Sequence, residues 1–112
     1  MKLPHADLAV VPERKLTDYL LNPAHPDNGG KAEFFVRLGF SRRDWVALAA
    51  AFRAQAQTSA VSEHAESPHG RKYVIVGPIE SLAGKSALVR TIWIVDTGSD
   101  VPRLVTAYPH QE

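Results

Sequence analysis

Hydrophobic and polar residues follow a β-type pattern most clearly near the end of the chain, in residues 86–109 (SALVRTIWIVDTGSDVPRLVTAYP). Two runs rich in Val, Ile, Thr and Trp, at 87–95 and 103–108, flank the turn residues 97–100. Runs of this composition around such a turn predict a β-hairpin. Residues 71–79 (RKYVIVGPI) predict another strand. A further strand is plausible in 58–67, ending at the turn Pro68-His69-Gly70.

Upstream of these strands the apolar residues recur with a helical period. The spacing predicts short helices over 13–21 and 31–38, and a longer Ala-rich helix that is capped by Ser41 and runs to about Gln57. The segment 22–30 (NPAHPDNGG) between the first two helices predicts an ordered loop. Helices followed by strands indicate an α+β fold, with N-terminal helices (two short, one long) packed on a roughly four-stranded antiparallel meander sheet. We expect residues 1–112 to form a single domain of this kind.

The composition narrows the possible functions. The chain has 13 Lys and Arg against 12 Asp and Glu, a net charge of +1, so broad nucleic-acid affinity from net charge alone is not expected. The absence of cysteine excludes disulfides, thiolate metal sites and cysteine nucleophiles. No apolar run approaches the ~20 residues of a membrane span, and the N-terminus lacks a signal-peptide core. These features favour a cytoplasmic protein, or a cargo domain delivered by another protein, and we expect no contact with membranes.

Known chemical motifs are also missing. The five histidines do not have the spacing of a metal site, the segment DNGGK is too short for a phosphate-binding P-loop, and no serine-hydrolase motif occurs. We therefore expect no metal and no cofactor. The remaining polar residues suit metal-free cleavage of RNA, which supplies its own nucleophile, the 2′-OH. Such an enzyme needs a proton acceptor, a cation for the charged phosphorane and a donor to the leaving oxygen.

These three needs define the candidate site. His25 is the expected general acid or base, Lys31 and Arg90 are expected to bind or stabilise phosphate, and Thr106 and Tyr108 to orient it. Lys15, Arg71 and Lys72 are expected to bind substrate. Each basic residue also has a plainer interpretation: Lys31 as a solvated surface lysine, and Arg90 as an arginine on an open sheet face.

The register of the hairpin decides whether Arg90 belongs to this site. If the loop is 97–100, Thr91 lies opposite Thr106 and Val89 opposite Tyr108. A slip of one residue instead places Arg90 opposite Tyr108. The sequence leaves both registers open. Trp93, in the same strand, is expected to be a core residue.

Three segments carry a resemblance to a known family: KLTDYLLNPAHPDNGGKAEFF (15–35), RKYVIVGPIESLAGKSALVRTIWIV (71–95) and PRLVTAYP (102–109). Together they resemble an uncharacterised family of small bacterial toxin-like proteins, found as separate chains and as C-terminal modules of larger proteins. That family resembles the barnase–EndoU–colicin–RelE superfamily of metal-independent ribonucleases. The family pattern falls on Lys15, Tyr19, His25 and Lys31 in the first segment. In the other two it falls on 90–93 and on Thr106 with Tyr108.

The resemblance implies a metal-independent endoribonuclease that acts as the toxin of a toxin–antitoxin or polymorphic toxin system. Its partners would be RNA, such as tRNA or mRNA, and a cognate antitoxin or immunity protein. The alternative is a non-catalytic interaction module on the same fold: an antitoxin, immunity or accessory protein.

Overall fold

The expected order of helices followed by strands is confirmed in the computed structural model of the protein, which describes residues 1–110. A 3₁₀ turn at Ala6–Leu8 precedes a π-helical segment, two α-helices and four strands. These elements are π1 (Lys15–Leu20), α1 (Lys31–Leu38), α2 (Trp45–Thr58), β1 (Val61–Ser67), β2 (Gly70–Glu80), β3 (Ser86–Asp96) and β4 (Pro102–Pro109). The strands form one antiparallel sheet in the order β1-β2-β3-β4, which is the predicted meander.

The two faces of the sheet differ because side chains alternate along each strand. On β3, Val89, Thr91 and Trp93 are buried in the core beneath the helices, and Trp93 is the core residue that the sequence predicts. Arg90 and Ile92 lie on the opposite face, which we call the outer face, and are only partly buried. The residues that face the helices therefore hold the fold together, while the outer face is available for a site.

A buried polar chain ties α2 to the inner face of the sheet. The Gln55 side-chain amide donates to the backbone oxygens of Gly77 at 3.0 Å and Val89 at 2.8 Å. Its oxygen accepts from Thr91 Oγ1 at 2.6 Å, and Trp93 Nε1 donates to the same hydroxyl at 2.9 Å. Since every side-chain polar atom of this buried polar chain has a partner, its hydrogen bonds fix the position of α2 on β2 and β3.

The first predicted helix has π rather than α geometry over Lys15–Leu20. The Leu21 N–H donates to the Leu16 carbonyl, five residues earlier, at 2.8 Å. At the end of this wider turn, the Asn28 side chain donates to the carbonyls of Tyr19 and Leu20, and the Tyr19 carbonyl also accepts the backbone N–H of Asn22. Single π turns of this kind are frequent at functional sites. Here the turn carries Tyr19.

Both hairpin registers occur, one after the other, because β4 contains a β-bulge. Near the turn, Trp93 pairs with Leu104, which is the register expected from a loop at 97–100. The register then shifts by one residue, so that Ile92 pairs with Thr106 and Arg90 with Tyr108. The bulge leaves Val105 as the additional residue and moves the rest of β4 into the opposite phase. Thr106 and Tyr108 are thereby brought to the outer face beside Arg90.

Candidate functional site

The 22–30 loop positions Lys31 at the beginning of α1. Gly29 and Gly30 both have positive φ, 60° and 88°, and this left-handed backbone turns the chain sharply into the helix. The buried Asn28 accepts the N–H of Lys31 on its backbone oxygen and that of Ala32 on its side-chain oxygen. These two amides are therefore not free to hold a phosphate. The ammonium of Lys31 is the group that this end of the helix presents.

Lys31 meets two hydroxyls from different parts of the chain. Its Nζ donates to Tyr19 Oη on π1 and, at 3.4 Å, to Thr106 Oγ1 on β4. The two hydroxyls are also hydrogen-bonded to each other at 3.1 Å. Nζ lies 4.8 Å from the centre of the Tyr19 ring and 5.7 Å from that of Tyr108, both within cation–π range. An exposed lysine with only water as partner does not have these contacts.

Two further residues surround the same phenol. The Lys15 ammonium lies 5.7 Å from the centre of the Tyr19 ring, and the edge of His25 packs on that ring with centroids 4.9 Å apart. We call Lys15, Tyr19, His25, Lys31 and Thr106 the Tyr19 cluster. Four of its members line a cavity of about 470 Å³, together with Arg14, Asp18, Asp27 and Val105. The cluster therefore borders a space large enough for part of a ligand.

The imidazole of His25 has a defined tautomer. Its Nδ1 accepts the backbone N–H of Asp27 at 3.0 Å, so the ring proton is on Nε2. In this arrangement His25 offers an N–H to a ligand. It could act as a base at Nε2 only after exchanging its bond with Asp27.

The electrostatics of Tyr19 reflect two opposing effects. Partial burial raises the pKa of the phenol. The hydrogen bonds from Lys31 and Thr106, together with the positive charges of Lys31 and Lys15, outweigh that effect and hold the pKa below its ordinary value. The cluster thus favours the phenolate more than water does.

Arg90 adjoins this group through Tyr108. Its guanidinium carbon lies 5.8 Å from the centre of the Tyr108 ring, the ring that Lys31 also approaches. Arg90 makes a 3.4 Å ion pair with Glu63 of β1, and its side chain is 27% exposed. Its Nε is buried without a partner, so the guanidinium retains a donor that nothing in the described part of the chain satisfies.

The two expected substrate-binding residues on β2 lie on different faces of the sheet. Lys72 pairs with Ile94 and shares the outer face with Arg90, four residues or roughly 13 Å along the strand from Val76, the partner of Arg90. Arg71, the preceding residue, lies on the opposite face of the sheet because side chains alternate along the strand. It forms an exposed ion pair with Glu66 at 3.2 Å and lines a separate cavity of about 500 Å³ near the β3–β4 turn.

The structure therefore brings together most of the expected residues, with Lys72 on the same face at a distance and Arg71 elsewhere. It also adds Tyr19, which lies in the family pattern but is not among the site residues expected from the sequence. The available signal was a hydroxyl-bearing aromatic residue four positions after Lys15, in the segment KLTDY. In residues 1–110 no three His, Asp or Glu side chains form a group that could hold a metal ion. No helix in the same range is long and apolar enough to cross a membrane.

Comparison with known proteins identifies the family. The family described as "Domain of unknown function (DUF6883)" matches residues 2–111. The chain belongs to this family. No curated protein matches the sequence.

A solved structure has a similar fold. It is a chain of the "Contact-dependent growth inhibition toxin - immunity protein complex from Klebsiella pneumoniae 342". The TM-score is 0.74 and the sequence identity 16%, and the match covers 96% of this chain and 97% of that chain. At this identity the likeness establishes the fold.

Proposed function

We propose that this DUF6883 protein is a metal-independent endoribonuclease toxin that cleaves RNA by attack of the 2′-OH on the adjacent phosphate. The observation that carries the proposal is the placement of Lys31. Its ammonium is fixed by two hydroxyls and two aromatic rings beside a cavity lined by Lys15 and His25. A positive charge held in this way is suited to the developing charge of a phosphorane.

The neighbouring residues have roles that follow from their positions. Lys31 and Arg90, which approach the same Tyr108 ring, would bind the non-bridging phosphate oxygens. Thr106 and Tyr108 would orient the phosphate from the outer face, and His25 would donate from Nε2 to the leaving oxygen. Lys15 at the cavity and Lys72 farther along the sheet would contact flanking phosphates.

The toxin role is supported by fold and by family resemblance. A chain of the Klebsiella pneumoniae complex of a contact-dependent growth inhibition toxin with an immunity protein has this fold over almost its whole length. A toxin of this kind needs a cognate immunity protein or antitoxin, so we propose such a partner. The substrate, tRNA or mRNA, would place its action in the cytoplasm.

The direct test is to incubate purified protein with total RNA in EDTA and to map the cut ends. We expect fragments that end in 2′,3′-cyclic phosphate and 5′-OH, and growth arrest when the protein is induced. Lys31→Gln should lower cleavage by at least about 10²-fold because it removes an electrostatic stabiliser of the transition state. Lys85→Gln is the matched control, since Lys85 lies in the β2–β3 turn and donates only to the Arg37 carbonyl. Intact RNA at high enzyme excess would refute the proposal.

A non-catalytic interaction module is the second candidate. The observations that favour it are the net charge of +1, which is low for a nucleic-acid-binding protein, and the ion pair that occupies Arg90. This candidate predicts no cleavage and no growth arrest from the wild-type protein. It also predicts that co-expression with a cognate toxin protects cells, with or without Lys31→Gln.

A further inference from the structure

We propose that Tyr19 and Lys31 form a proton-transfer pair, in which Tyr19 Oη receives the proton of the attacking 2′-OH and the Lys31 ammonium protonates the leaving 5′ oxygen. This inference rests on the proposed function and assigns its acid and base. It gives a catalytic role to Tyr19, which is not among the site residues expected from the sequence.

The geometry supports Tyr19 as the base. Its hydroxyl is held from two sides, by Lys31 at the start of α1 and by Thr106 on β4. The tyrosine also lines the cavity beside the cluster, so a ligand there can reach it. A general base must be within hydrogen-bonding distance of the proton that it removes, and both contacts fix the phenol at the edge of this space.

The charges around the phenol favour its ionised form. Lys31 faces it from α1, Lys15 from π1 and His25 from the 22–30 loop. Asp18 and Asp27 line the same cavity, but neither carboxylate is hydrogen-bonded to the hydroxyl. Burial opposes ionisation, while the bonds and charges of Lys31, Thr106 and Lys15 together lower the pKa of Tyr19 below its ordinary value. When the phenol is ionised, Tyr19 Oη can accept a proton and the neighbouring Lys31 ammonium can donate one.

The proposed reaction balances within the pair. The 2′ oxygen bonds to phosphorus as its proton passes to Tyr19 Oη, and the bond from phosphorus to the 5′ oxygen breaks. The 5′ oxygen takes a proton from Lys31 Nζ, which leaves a phenol beside a neutral amine. The phenol then returns its proton to the amine along the existing hydrogen bond. The products are a 2′,3′-cyclic phosphate and a 5′-OH, and the starting pair is restored without net exchange of protons with water.

The position of His25 agrees with this assignment. Because Asp27 N–H occupies Nδ1, the imidazole carries its proton on Nε2 and has no free lone pair in the ring. It can stabilise the charge on the leaving oxygen by donating a hydrogen bond, while the proton that this oxygen takes comes from Lys31. It cannot remove the 2′-OH proton without breaking the bond to Asp27.

Kinetics as a function of pH test the pair. Tyr19→Phe should lower kcat/KM by about 10²–10⁴-fold, the usual contribution of a general base, and should abolish the rising limb of its pH profile. That limb rises with pH because the active form is the phenolate. Replacement of Tyr19 by 3,5-difluorotyrosine, which has a lower phenol pKa and nearly the same shape, should move the limb to lower pH. Tyr73→Phe is the control because Tyr73 is buried on the inner face, outside the cluster.

A spectroscopic titration tests the pair without RNA. We expect a phenolate absorbance step below the ordinary pKa of tyrosine, which belongs to Tyr19. Tyr19→Phe should remove that step, and Lys31→Gln should move it to higher pH. If the early step persists in Tyr19→Phe, or if the difluorotyrosine enzyme keeps the wild-type pH profile, the pair is wrong even though RNA is cut. If RNA stays uncut while the titration gives the expected result, the ribonuclease function and the catalytic role of the pair are refuted. The hydrogen-bonded pair of Tyr19 and Lys31 would still exist, so the two failures can be told apart.

Discussion

At the scale of single residues, Asn28 of the 22–30 loop connects α1 with π1. Its side chain accepts from Ala32 N on α1 at 2.9 Å and donates to the carbonyl of Tyr19 at 2.6 Å and of Leu20 at 3.2 Å on π1. It is buried, so loss of these bonds would leave unpaired backbone groups away from water. Asn28 therefore positions Lys31 and Tyr19 without being at the cavity itself.

We expect Asn28→Ala to lower the free energy of unfolding by about 1–3 kcal/mol, as measured by urea denaturation. Asn28→Asp should be at least as harmful near pH 7, because it places a carboxylate against two carbonyl oxygens. Asn22→Ala is the control; the bonds of Asn22 are at the surface, and its effect should be within about 0.5 kcal/mol. Equal losses at Asn22 and Asn28 would contradict the positioning role.

The sequence was informative for Lys31 and much less so for Tyr19. Two glycines before a helical pattern predict where α1 begins, and the structure begins α1 at Lys31. Tyr19 follows Leu16 at the i, i+3 spacing of a helix, a pattern that is typical of a packing residue. Its hydroxyl becomes a site atom only because Thr106 comes from a strand 87 residues later. No local pattern contains that contact.

At the scale of elements, the buried polar chain between α2 and the sheet makes a specific stability prediction. Thr91→Val keeps the shape of the side chain but removes the hydroxyl that donates to Gln55 and accepts from Trp93. Two buried polar groups then lose a partner, so we expect a loss of about 2–4 kcal/mol in the free energy of unfolding. Thr58→Val, at the exposed end of α2, is the matched control and should change stability by less than about 0.5 kcal/mol. A neutral Thr91→Val would show that the chain contributes no stability.

The bulge in β4 was the feature of the sheet that the sequence could not determine. Composition and turn residues predict β2, β3 and β4 to within one residue of their ends and place β1 three residues too early at its start, but both registers of the hairpin agree with the pattern. The structure uses both, since the inner residue Leu104 pairs with Trp93 and the inner residue Ala107 pairs with Thr91. The additional residue between them allows both Leu104 and Ala107 to face the core. A choice between registers thus depended on packing against the helices.

Deletion of Val105 should keep Thr106 and Tyr108 on the outer face, because Val105 is the additional residue of the bulge. Without it, β4 would pair with β3 in one continuous register that still places Thr106 opposite Ile92 and Tyr108 opposite Arg90. We therefore expect the contacts between Lys31, Thr106 and Tyr19 to remain, and changes in the amide NMR spectrum to be confined to residues near the bulge. Val105→Ala keeps the bulge and should leave the spectrum largely unchanged. A deletion variant whose spectrum changes across β4 and π1 would contradict this register.

At the scale of the whole molecule, the charges matter by their distribution, since their sum is only +1. Several cations are neutralised by local ion pairs: Arg71 with Glu66, Arg103 with Asp96, and Arg37 with Glu33. Lys15 and Lys31 belong to the Tyr19 cluster instead, and Lys72 lies on the outer face with Arg90. If RNA lies along the outer face towards the cluster, these four residues are its phosphate contacts.

Salt dependence measures that number of contacts. For single-stranded RNA the logarithm of the binding constant falls with the logarithm of salt concentration with a slope of about −0.7 per neutralised phosphate, so four contacts predict a slope near −3. A 2′-O-methyl RNA, which lacks the nucleophile, allows binding to be measured by fluorescence anisotropy without cleavage. Lys72→Gln should reduce the steepness by about 0.7. Arg71→Gln should leave it unchanged, because Arg71 is paired with Glu66 and has the opposite phase on β2. Equal effects of these two adjacent substitutions would mean that RNA follows a path other than the outer face.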